Sequence, residues 1–321
     1  MSWVCPMCST SNLDTDTKCI VCDTLNPANS ITFDLQQQLV NAMEQMRGVL
    51  SKKQSYNEAE VKDEYNKGVT AERKKDFVQA YEYYLKAAEK GYPPAEYEVG
   101  DCYYFGKGVS LNYSTALEWF LKSADHNYAQ AQYSAGFCYA YGKGTEKSFS
   151  NAITWFRRAS DQGHAAAKNE LGDCYYFGNG VLQNLATAFT LFLESAELGN
   201  VSALYNVGFC YTQGKGVALD YGKALEFYQK AANLEHRPSI NAIGDCYYYG
   251  RAVEKDHVRA VTYYKKAAEA GLSSAQYNLG YCYEHGYGVL HSKRNAIYWY
   301  TKASEQGHKS AKEALTKLNR E

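Results

Sequence analysis

Ten cysteines carry most of the reactive chemistry of this 321-residue chain, and they fall into two groups. Cys5, Cys8, Cys19 and Cys22 lie in "WVCPMCSTSNLDTDTKCIVC", which reads W-x-C-x2-C-x3-N-x6-C-x2-C. Two Cys-x-x-Cys pairs at this spacing are the thiolate set of one tetrahedral zinc ion. A redox dithiol would need only one such pair. A segment of about 25 residues cannot bury enough core to fold alone, whereas a structural zinc contributes on the order of 10–16 kcal/mol. The other six, Cys102, Cys138, Cys174, Cys210, Cys246 and Cys282, are each 36 residues from the next.

Around the first of these six stands "GDCYYFGKGV" (100–109), with an acid, a thiol, aromatics and a Gly-x-Gly turn. Five copies follow at the same interval, and a fixed period of this length marks an array of helical repeats. The Gly-x-Gly turn lacks the G-x-x-x-x-G-K-[ST] pattern of a phosphate loop. Asp101, Asp173 and Asp245 are 72 residues apart, roughly 20 Å if each helix layer adds about 9–10 Å. Paired general acid–base carboxylates need about 5–10 Å. Disulfides between successive cysteines fail on the same spacing. The repeats therefore predict no catalytic residues and six buried free thiols.

The elements follow from the period. Ala95, Val99, Cys102 and Tyr103 share one face of a first helix, and Gly100 admits a close neighbour there. Gly106 ends that helix and Gly108 serves the turn. A second helix opens at Asn112, with Ser148, Asn184, Asp220, Asp256, Ser292 and the earlier Asp76 in register, all good N-cap residues. Ala116, Trp119, Phe120 and Ala124 form its packing face.

This combination resembles the Sel-one-like repeat, a relative of the tetratricopeptide repeat, over roughly residues 56–321. The resemblance implies an all-α, right-handed α/α superhelical solenoid of 36-residue helix pairs. Disulfide-rich secreted members, some linked with β-lactam binding, carry two cysteines per repeat; this chain has one. The expected organisation is a four-cysteine zinc ribbon of short β-hairpins (1–27), a linker with an amphipathic helix over 34–50 (28–54), a tetratricopeptide-like first pair (55–92), six repeats (93–308) and a capping helix (309–321). Helix 34–50 carries an apolar seam that either caps the array or mediates dimerisation. Ser55 and Glu58 form a capping-box pattern after it.

A second layer alternates every 72 residues: Asp101, Phe137, Asp173, Phe209, Asp245, Tyr281. With Tyr97, Tyr104, Tyr133, Asn169, Tyr176, Tyr205, Asn241, Tyr248 and Tyr277, these residues share a helix face about half a turn from the cysteines. The resemblance implies that this face lines a concave groove, and rigid aromatics among Asp and Asn suit a protein or peptide ligand. The alternative is that the aromatics pack between helices while the aspartates hydrogen-bond locally.

Trp3 and Asn12 at their offsets resemble the Ran-binding-protein-two type zinc finger, whose members bind ubiquitin, single-stranded RNA or Ran. Ubiquitin readers carry Thr then an aromatic after the second cysteine, where this chain has Ser9 and Thr10. RNA readers carry an aromatic after the central Asn, where this chain has Leu13. Nucleic acid is not expected, in keeping with a net charge of −1. The absence of an apolar run long enough to span a bilayer and of a signal-peptide pattern predicts no membrane span and a cytoplasmic protein. The sequence thus reads as a non-enzymatic adaptor that holds a protein partner. A zinc-finger reader of ubiquitin or RNA, with the array as spacer, is the second reading.

Overall fold

The computed structural model describes residues 2–4, 11–13 and 57–318. The cysteines Cys5, Cys8, Cys19 and Cys22, the residues Ser9 and Thr10, helix 34–50 and the Ser55 cap all lie outside the described residues. The chain divides into two units at the Asp63/Glu64 boundary. In the first, strand β1 (Ser2–Val4) pairs antiparallel with β2 (Ser11–Leu13), setting Trp3 opposite Asn12.

From Glu64 onward the chain is helical. Helix α1 (Glu58–Arg73) crosses the boundary and is followed by α2 (Phe77–Glu89). Six further pairs follow in strict alternation: α3 (Pro93–Phe105) with α4 (Tyr113–Asp125), α5 (Ala129–Tyr141) with α6 (Phe149–Asp161), and α7 (Ala165–Phe177) with α8 (Leu185–Glu197). Then come α9 (Val201–Gln213) with α10 (Tyr221–Asn233), α11 (Arg237–Tyr249) with α12 (His257–Glu269), and α13 (Ser273–His285) with α14 (Lys293–Glu305). A single helix, α15 (Lys309–Leu318), ends the described chain.

Each boundary has a local cause. All seven N-cap residues read from the sequence accept a backbone N–H three residues on, as Asn112 does from Thr115 and Asp256 from Arg259. Each satisfies an orphan donor of the first turn. Odd helices α3 to α13 end at a glycine in the left-handed region, such as Gly106 at φ 70°. Gly108 is needed twice over. Its φ is +72°, and a Cβ there would lie 2.1 Å from the Phe77 carbonyl oxygen.

Packing runs from each pair to the next. Ala116, Leu117 and Phe120 of α4 meet Ala135 and Cys138 of α5 in one buried cluster, and later pairs repeat the arrangement. Gly100 does admit a close neighbour: the ring of Phe120, 2.6 Å from where a Cβ would stand. Full burial of such a ring contributes about 2–3 kcal/mol. The six repeat cysteines are free and buried, and burial pushes their thiols up, that of Cys138 to about 12. At the end, α15 buries Ala311 and Leu318 against Ala296, Tyr300 and Ala303. No helix among the described residues is long and apolar enough to cross a membrane.

Candidate functional site

The alternating face of the odd helices forms three aromatic boxes, each between the first and second odd helix of a 72-residue double unit. The first lies between α3 and α5 and encloses a cavity of about 370 Å³ lined by Tyr97, Asp101, Tyr104, Tyr133 and Phe137. Asp173, Tyr176, Tyr205, Asn206 and Phe209 line the second, about 180 Å³ between α7 and α9. The third, about 250 Å³ between α11 and α13, has Tyr248, Tyr264, Tyr277, Asn278 and Tyr281.

Their internal geometry repeats. In each first helix two consecutive rings meet edge to face at 4.9 Å: Tyr104–Phe105, Tyr176–Phe177 and Tyr248–Tyr249. In each second helix the rings one turn apart lie at 6.4, 6.3 and 6.4 Å: Tyr133–Phe137, Tyr205–Phe209 and Tyr277–Tyr281. Phe105, Phe177 and Tyr249 stand at the rims, 59%, 64% and 58% exposed, so half or more of each apolar ring faces water.

Beneath the rims the second-helix tyrosines are held in place. Tyr133 lies 6.0 Å from Phe156 and stacks on His164 at 4.8 Å. Tyr277 lies 5.5 Å from Tyr300 and stacks on His308 at 4.8 Å. His164 and His308 also cap the following helix, their Nδ1 accepting from the Ala167 and Ala311 amides. Burial holds the His164 imidazole below its ordinary range, which keeps Nδ1 available as an acceptor.

The carboxylates differ from box to box. Asp101 takes Lys107 Nζ at 3.1 Å, and the same ammonium lies 3.1 Å from Glu72 Oε1. Burial pushes the Asp101 carboxyl up, and Lys107 opposes that. Asp245 accepts from Tyr264 Oη at 2.7 Å and from Asn278 Nδ2 at 3.5 Å; burial pushes it to about 6. Asp173 has only a 3.4 Å bond from Asn169 Nδ2, and burial takes it to about 6. Glu98 and Glu170, one turn before Asp101 and Asp173, are raised to about 7 by burial and then by those aspartates.

The face thus combines local hydrogen bonding at some residues with cavity lining at others. Asn169 and Asn241 are bridges: Asn206 Nδ2 donates to Asn169 Oδ1 at 3.0 Å and Asn278 Nδ2 to Asn241 Oδ1 at 3.1 Å. The tyrosines and phenylalanines of the face pack on one side and line a cavity on the other. Sequence reasoning missed the rim rings Phe105, Phe177 and Tyr249, although they recur at the same 72-residue interval as the aspartates. His164, His236 and His308 also recur every 72 residues; His164 and His308 stack on Tyr133 and Tyr277, and the His236 ring is tilted against Tyr205. Among the described residues no cluster could hold a metal ion.

Stacked helix pairs with this spacing define an α/α repeat solenoid, a class built to present one long face. The Sel1 repeat model matches residues 63–92, 93–128, 129–164, 165–200, 201–236, 238–272 and 273–308. The chain belongs to the Sel1 repeat family, whose members are typically protein-interaction scaffolds. Among solved structures it is similar to a Sel1 repeat protein from Oxalobacter formigenes, at 29% identity and TM-score 0.71, covering 75% of this chain and 96% of that one. It is also similar to c5321, a protective antigen of uropathogenic Escherichia coli, at 31% identity and TM-score 0.68, covering 86% of this chain. This chain spans 58% of that protein's length. A tetratricopeptide repeat protein from Parabacteroides merdae shares the fold, at 17% identity and TM-score 0.50, covering 81% of this chain and 99% of that one. No curated protein matches the chain.

Proposed function

We propose that this protein is a non-enzymatic adaptor that holds a protein or peptide partner along its odd-helix face. The three aromatic boxes carry the reading. Their half-exposed rings repeat in register, and they offer apolar anchors that a folded chain has no internal use for. A partner strand crossing the face would set side chains into successive boxes and gain affinity from rigid rings that lose little entropy.

The N-terminal Cys5, Cys8, Cys19 and Cys22 set is proposed to bind one structural zinc and to serve as a second docking module. Two observations support this: the Cys-x-x-Cys spacing, and the pairing of β1 with β2 across the segment that holds the first two cysteines. One equivalent of zinc per chain, lost in a Cys5→Ser, Cys19→Ser variant, is the expected elemental analysis. The six free thiols of the array support a reducing compartment such as the cytoplasm.

Crosslinking capture tests the adaptor reading. Phe105→Ser, Phe177→Ser and Tyr249→Ser together change exposed rings only and should leave the helical signal intact. Capture should fall at least about tenfold in this variant and persist after deletion of residues 1–27. Capture that survives the triple change but fails on the deletion would assign recognition to the zinc module, as in a reader of ubiquitin or RNA.

A further inference from the structure

The three boxes share their rim ring and second-helix aromatics but differ in how the nearby aspartate is balanced. In the first, Lys107 pairs with Asp101 at 3.1 Å and lies 5.4 Å over the Phe105 ring. In the third, Arg251 lies 4.7 Å over the Tyr249 ring, and Asp245, raised by burial, is opposed first by the Tyr264 hydrogen bond and then by the Arg251 charge. Lys107 and Arg251 occupy the same place in the repeat, directly after the glycine that ends the first helix. The chain thus supplies a cation over the rim ring of both boxes, and in the first that cation also pairs with the aspartate.

The middle box has the ring and the acid without that cation. The residue 72 after Lys107 and 72 before Arg251 is Asn179. The hydroxyl that Tyr264 gives Asp245 is missing too, because the equivalent residue is Phe192, which packs on Gly172. Asp173 keeps only the long Asn169 contact. Among the described residues no cationic side chain pairs with Asp173 or with its neighbour Glu170. Phe177 is the most exposed of the three rim rings, at 64%. A ring face and a carboxylate around one cavity are the two elements that hold an ammonium or guanidinium.

We propose that the middle box accepts a lysine or arginine side chain of the partner, in the position that Lys107 and Arg251 fill in the flanking boxes. The proposal rests on the reading of the odd-helix face as the partner surface. The occupant's charge is the complement of Asp173, and its stem would lie on Phe177. The flanking boxes, already balanced, take apolar anchors.

A random peptide display library selected on the immobilised full chain tests this. Recovered peptides should share one fixed Lys or Arg, and replacing it with norleucine or citrulline should weaken binding roughly tenfold or more. Asp173→Asn should weaken the same peptides to a similar degree. Asn179→Lys, which gives the box its own cation, should do so while leaving the fold intact, and Glu226→Gln, an exposed carboxylate on α10 outside the boxes, should change binding by less than about threefold. Basic peptides that bind Asn179→Lys as well as the parent chain would overturn the proposal. Recovered peptides without a basic residue, lost on Phe177→Ser, would overturn it too and leave the surface reading standing. Failure to recover any peptide sensitive to the odd-helix face would overturn both.

Discussion

At the scale of single residues, backbone conformation and burial act against each other at a few identifiable positions. The turn glycine of five repeats is replaced in the fifth by Ala252, which adopts φ 64°. A side chain in that region costs about 1–2 kcal/mol, so Ala252→Gly should raise stability by about 1 kcal/mol in denaturant titrations. The reverse change at Gly108 sets a Cβ 2.1 Å from the Phe77 carbonyl. Gly108→Ala should therefore cost about 2 kcal/mol or more. Ionisation supplies a second test. Burial raises Asp173 to about 6, against an ordinary value near 4. The fold thus binds that proton more tightly than the unfolded chain does. Its contribution to stability is present in acid and lost as pH rises through about 6. The charged and titratable groups around it are Glu170 and Tyr141, with Asn169 as its hydrogen-bond donor. Asp173→Asn should raise Tm by roughly 1–3 °C at pH 7.5, and that gain should shrink toward zero near pH 4. An unchanged gain across this range would show that charge is not its cause.

At the scale of elements, helix ends and core faces were legible because their causes are local. Asn112, Ser148 and Asp220 cap where a short polar side chain must, and Gly106 ends its helix because only the left-handed region closes it. What a helix face meets across the repeat is not local. Asn169 and Tyr133 share a repeat position, yet one bridges to Asn206 and the other lines a cavity. The residue that the next odd helix sets opposite, Asn206 for Asn169, is not encoded by residue spacing within one helix. The same limit hid the stacking of His164 on Tyr133, a pair well separated along the chain. The element most open to test is α15, which covers Tyr300 and Ala303. Deleting 309–321 should expose that face and abolish slow hydrogen exchange in α14. Protection in α4 and α6 should hardly change, because each pair of such an array depends on its neighbours only.

For the whole molecule, the array carries six thiols as separate reporters of local opening. Burial takes the Cys102, Cys174 and Cys282 thiols to about 12, and a thiol that is neither ionised nor accessible does not react. In native buffer these six should resist a thiol-specific reagent, and denaturant should release them in groups from the ends inward. Simultaneous release of all six would indicate one cooperative unit. The 72-residue recurrence of the boxes has a metric consequence. Each helix pair advances the stack about 9–10 Å, which sets neighbouring boxes roughly 20 Å apart. An extended peptide covers roughly 3.3–3.6 Å per residue, so about six residues carry it from one box to the next. A helical segment, rising about 1.5 Å per residue, would need about thirteen. Under the adaptor proposal the array would be a ruler, selecting partners by the distance between their anchors as much as by the anchors themselves.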